Sequence, residues 1–116
     1  MATSRLQVDP AYLERADEPG FADQFARIES HFFVNAGFMR DGQLLEKQSI
    51  DKIRKIPAVI VQGRYDVVCP MKTSWDLHRA WPEADYIVVS DAGHSAAESG
   101  IEDALVNATD KFKSIS

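Results

Sequence analysis

The chain has 116 residues, room for one domain at most. Hydrophobic residues make up 45% and charged residues 27%, an ordinary globular balance that argues against fibrous, collagenous and disordered classes. The net charge of −5 argues against a nucleic-acid partner, which needs clustered Lys and Arg, and the single cysteine, Cys69, allows neither an internal disulfide nor a zinc-type spacing.

No apolar run approaches the length of a membrane span, and the N-terminus has no signal-peptide hydrophobic region, so no membrane is expected and the cytoplasm is the default compartment. Residues 1 to 20 are polar and interrupted by Pro10, Pro19 and Gly20, with room for a short helix around Ala11 to Ala16. Phe21, Phe25, Ile28 and Phe32 then recur at helical spacing, which predicts an amphipathic helix to about Asn35, stopped by Gly37. A second helix is expected over Gln43 to Ile53, with Ile50 and Ile53 turned inward. The basic run Lys52, Arg54, Lys55 reads as the solvated face of that helix's end.

Pro57 closes the second helix. Ala58 to Val61 is a short β-branched run, read as a strand buried on both faces. Pro70 suits the first position of a helix over Met71 to Ala80, which Pro82 ends. Tyr86 to Val89 is the second buried strand. Ser99-Gly100-Ile101-Glu102 fits a capping box before a last helix with the apolar stripe Ile101, Ala104, Leu105, Ala108, Phe112. Helix, strand, helix, strand, helix in alternation predicts an α/β fold with a parallel sheet.

In open parallel sheets, sites form beyond the carboxyl ends of strands. Two polar loops lie there: Gly63 to Pro70 and Ser90 to Ala96. They place Asp66 and His94 just past their strands, on one sheet edge if the strands are parallel neighbours. A carboxylate can then orient an imidazole and stabilise the imidazolium formed when the ring takes a proton from a nucleophile. Each residue alone fits a bland role, Asp66 as a turn or cap residue and His94 as a surface residue; the pair is the more specific signal. His31 and His78 fall inside helices and fit the bland role. Ser95 beside His94 lacks a Gly-x-Ser-x-Gly elbow and is not read as a nucleophile. Cys69 reads as a buried inert thiol, and Trp75 and Trp81 as core and helix-end packing. Glu29, on the border of the first helix's apolar face, reads as an exposed carboxylate or as a site for a cation such as a free amino group.

ARIESHFFVN (Ala26 to Asn35), PAVIVQGRYDVVCP (Pro57 to Pro70), WDLHRAWPEA (Trp75 to Ala84) and AGHSA (Ala92 to Ala96) resemble, in order, the C-terminal part of the prolyl aminopeptidases, also called proline iminopeptidases. The resemblance runs from about Ala2 to Phe112. It implies the C-terminal part of an α/β-hydrolase core over residues 41–116 and the end of a helical cap over residues 1–40. It implies release of N-terminal proline from peptides by a serine nucleophile, through an acyl-enzyme that water hydrolyses, with no metal and no cofactor. By the same resemblance Asp66 matches the triad acid, His94 the triad base, and Glu29 a glutamate that holds the substrate's free α-amino group. The family's serine elbow and its His-Gly-Gly-Pro oxyanion loop match nothing in the chain. A second substrate-binding glutamate of the family precedes a segment matching Ala2 to Leu6. The chain therefore reads as a C-terminal fragment, inactive alone, that needs its missing N-terminal part or forms a homo-oligomer. Two alternatives stay open: a non-catalytic remnant or interaction module, and another α/β-hydrolase such as an esterase.

Overall fold

The computed structural model describes Leu6 and residues 20–114. The short helix expected around Ala11 to Ala16 lies outside them. The first described helix, α1 (Phe21–Val34), ends at Asn35, whose side-chain amide donates to the His31 carbonyl at 2.8 Å. A 3-10 turn at Ala36–Phe38 follows, with Gly37 at φ 61, the left-handed stop that its glycine allows.

The helix expected over Gln43 to Ile53 is split. A 3-10 turn covers Gln43–Leu45, and α2 covers Lys47–Ile53. Glu46 between them takes ψ 141, a non-helical value that breaks the run. The Ser49 hydroxyl, donating to the Gln43 carbonyl at 2.7 Å, ties the two pieces together. After Pro57 come β1 (Val59–Gly63), α3 (Met71–Ala80), β2 (Asp85–Val89) and α4 (Ser99–Phe112).

The strands β1 and β2 pair in parallel, Val59 opposite Asp85 through Gly63 opposite Val89. Side chains alternate across a strand. Tyr86 faces α3, where its hydroxyl shares a 2.9 Å hydrogen bond with Ser74 and its ring stacks on His78 at 5.1 Å. Asp85, Ile87 and Val89 face the other way and form a groove with Gly100, Ala104 and Ala108 of α4. A helix therefore covers each face of the pair, the layering of an α/β sheet.

The core gathers Ile50, Trp81 and Ala84, with Ile53, Ala58, Ile60 and Leu77 packed on it. Ile50 and Ile53 point inward as their spacing predicts. Arg54 is more than a solvated face: its guanidinium chelates Glu83 at 2.8 and 2.9 Å and donates to the Ala80 carbonyl, while its own carbonyl accepts from the Trp81 indole at 3.2 Å. One side chain thus pins the end of α2 to the turn before β2.

Burial falls short of the sequence expectation in three places. The strands are not buried on both faces: Ile87 and Val88 are exposed, because β2 has one strand neighbour among the described residues. Trp75 is exposed and lies against His78 and Tyr86 rather than in the core, whereas Trp81 is buried as expected. Phe25, Ile28 and Phe32 do form a stripe on α1, yet all three are exposed; among the described residues α1 packs mainly on its own 3-10 turn. No helix among the described residues is long and apolar enough to cross a membrane.

Candidate active site

The two polar loops emerge side by side because their strands end level, Gly63 opposite Val89. They continue the pairing past the strand ends. The Arg64 amide donates to the Val89 carbonyl at 2.9 Å, and the Tyr65 amide to the Ala92 carbonyl at 3.0 Å. The next residue on the first loop is Asp66.

Asp66 is fixed by its own turn. Its Oδ1 accepts from the backbone amides of Val68 at 3.0 Å and Cys69 at 2.8 Å, the local closure an Asp makes in a tight loop. The Gln62 side chain, buried under the loop, donates to the Gly63 and Cys69 carbonyls and holds the turn from below. The bland reading of Asp66 as a turn residue is therefore true of one oxygen only. The other, Oδ2, receives His94 Nδ1–H at 3.0 Å.

The pair is asymmetric in exposure. The Asp66 side chain is 8% exposed and the His94 side chain 37%. An ionised carboxylate only accepts hydrogen bonds, so the contact requires a proton on His94 Nδ1 and leaves Nε2 as the free lone pair of the neutral ring. The arrangement can take a proton at Nε2 and stabilise the resulting cation through Asp66. Removing His94 would leave the Asp66 Oδ2 short of a bond where burial makes that costly, whereas the exposed ring left by removing Asp66 can turn to water.

Glu29 is not brought into this pair. It is exposed on α1, and among the described residues it makes no hydrogen bond or ion pair with Asp66 or His94. Ser95 serves the turn: its hydroxyl accepts from the Ala97 amide at 3.3 Å. Cys69 is exposed rather than buried, and its contribution is its backbone, bonded to Asp66 and Gln62.

The expected capping box is displaced. Glu98, not Ser99, caps α4: its carbonyl accepts from Ile101 and Glu102, both at 2.9 Å. Its side chain reaches back to Ser95 N–H at 3.2 Å and Gly93 N–H at 3.0 Å, and its second oxygen accepts from Leu6 N–H at 3.0 Å. The legible signal was Ser95-x-x-Glu98, the same pattern four residues earlier, with the glutamate closing on the serine's amide.

A family model of the alpha/beta hydrolase fold matches residues 12–100. The chain is 59% identical over 111 residues to a probable proline iminopeptidase of Leptolyngbya boryana, covering 95% of this chain and 34% of that protein. It is 51% identical over 116 residues to the proline iminopeptidase of Arabidopsis thaliana, covering 99% and 30% respectively. With the proline iminopeptidase of Neisseria gonorrhoeae it shares 46% over 98 residues, 84% of this chain and 31% of that one. The chain spans about a third of the length of these curated relatives. The α/β layering, the parallel strand pair and the family match lead to one conclusion: the chain belongs to the alpha/beta hydrolase fold family.

Proposed function

We propose that this chain supplies the acid, the base and an amine-recognition group of a serine aminopeptidase that releases N-terminal proline from peptides. The observation that carries the reading is the 3.0 Å contact between His94 Nδ1 and Asp66 Oδ2 at the carboxyl edge of two adjacent parallel strands. The names of the relatives give the substrate class.

In this reading His94 Nε2 takes the proton of a serine hydroxyl as the oxygen attacks the scissile carbonyl. It then returns that proton to the departing amine. Asp66 holds the ring's orientation and offsets its transient charge. The acyl-enzyme is hydrolysed by water, with His94 again as base. Glu29 receives the substrate's α-ammonium group as a charged acceptor.

The sequence contains no Gly-x-Ser-x-Gly elbow, so the serine and the oxyanion donors come from outside these residues. The chain alone is then inactive. Residues 1–40 act as the end of a cap and residues 41–116 as part of the catalytic core, a division supported by α1 packing, among the described residues, mainly on its own turn. A lone exposed thiol fits the reducing cytoplasm.

The test joins this chain to the upstream two thirds of a proline iminopeptidase relative and measures proline release from a proline anilide. The joined protein is expected to release proline, and the chain alone none. Ester turnover without proline release would instead favour an esterase, and release by the chain alone would overturn the division of labour.

A further inference from the structure

Glu98 carries more hydrogen bonds than a helix cap needs. Its Oε1 accepts from the amides of Gly93 and Ser95, the two residues that flank His94. Its Oε2 accepts from Leu6, 92 positions away in the chain. Its backbone adds a fourth restraint: Glu98 N–H donates to the Ser95 carbonyl at 3.1 Å. The side chain is half-buried beside the buried Gly93, so lost bonds there are poorly replaced by water.

We propose that Glu98 is a positioning residue for His94, acting through the backbone on either side of it. The inference rests on the acid–base reading of Asp66 and His94, and it deepens that reading. The Ser95 amide lies in the peptide that leaves His94 and the Gly93 amide in the peptide that enters Gly93, so neither plane can rotate without breaking a bond to Glu98. The short span that carries His94 is thereby held at both ends, and Asp66 supplies the third point that sets the ring. A carboxylate suits the task because two oxygens can hold three donors. The Leu6 bond makes the same group a tie between the His94 loop and Leu6.

The test uses the full 116-residue chain, isotope-labelled, and reads the His94 ring proton on Nδ1 by NMR. In the wild-type chain this proton is expected far downfield, as one held by a carboxylate, and Asp66→Asn should remove it. Glu98→Ala is expected to abolish that signal while the Trp81 indole N–H, bonded to the Arg54 carbonyl, stays in place. Glu98→Gln, whose amide oxygen still accepts from Gly93 and Ser95, should restore it and perturb Leu6 alone.

A Glu98→Ala chain that keeps both signals unchanged overturns the proposal. If Glu98→Ala loses the indole signal as well, Glu98→Asp decides. It retracts the carboxylate by one methylene and keeps the charge; selective loss of the His94 proton supports the proposal, and its retention overturns it. These readouts require no turnover, so a chain that fails to complete a peptidase leaves them intact. Absence of the downfield proton in the wild-type chain would overturn both readings.

Discussion

Gly63 and Gly93 lie backbone against backbone: a Cβ on Gly63 would stand 1.8 Å from the Gly93 carbonyl oxygen and 2.9 Å from that of Ala92. No side chain fits there, because the obstacle is main chain and cannot rotate away. Gly63→Ala should therefore push the His94 loop off the Asp66 loop. The expected cost is about 3 kcal/mol, the upper range for overpacking, with loss of the His94–Asp66 contact. Gly100→Ala is the control. It meets the Val89 side chain at 2.7 Å, and the helix preference of alanine, roughly 1 kcal/mol, offsets much of that crowding. Denaturant unfolding of the two variants should separate them clearly.

Asp66→Asn should leave the fold standing. The amide oxygen can still accept from Val68 and Cys69. Its NH2 group would face His94 Nδ1 as a donor, and the ring would shift its proton to Nε2 and lose its basic nitrogen on the outer side. In the joined enzyme kcat should fall on the order of 10⁴-fold, the size of such a change in a serine protease triad. Circular dichroism and proline release, measured together, would distinguish lost chemistry from lost structure.

Glu29→Gln should act on binding alone. The residue is exposed and its side chain makes no hydrogen bond or ion pair among the described residues, so the thermal midpoint of the chain should not move. A charge-assisted bond to a substrate ammonium contributes about 1.5–3 kcal/mol, and its loss should raise KM roughly 10- to 100-fold. An unchanged KM would remove Glu29 from amine recognition.

The Arg54 cluster should make stability fall in acid. The Asp51 carboxyl is held below its usual pKa by Lys47 first and Arg54 second, and the Glu83 carboxyl by Arg54 first. A carboxyl depressed in the folded state adds stability above its unfolded pKa and loses it as pH falls through the folded value. The thermal midpoint should thus drop below about pH 4. Arg54→Ala should lower it at pH 7, and the gap from wild type should narrow by pH 3. A gap that stays constant would show that the ion pairs add nothing.

The order of elements was legible because prolines punctuate it: Pro57, Pro70 and Pro82 bracket the strand–helix–strand unit where their missing amides and fixed φ demand. The Asp66–His94 pair was legible for the same reason, since one helix and one strand return the chain to the same edge. What covers an apolar stripe was not. Phe25, Ile28 and Phe32 declare a face by their spacing, but spacing says nothing about a neighbour, and the face is exposed here. The burial expected of Cys69 does not occur because its loop is held by bonds to its backbone rather than by side-chain packing. Glu98 is not legible because two capping patterns stand end to end, 95–98 and 99–102, and only the φ and ψ of residue 98 decide between them.

The level ending of the two strands has a consequence well away from the loops. A slip of β2 by one residue against β1 would carry its end about 3.3 Å along and turn Tyr86 from α3 toward α4. A shift of that size is longer than the bond between the ring and the carboxylate. The imidazole therefore behaves as a vernier for the sheet, and damage to strand alignment anywhere along these five rungs would be felt first as a proton in the wrong place.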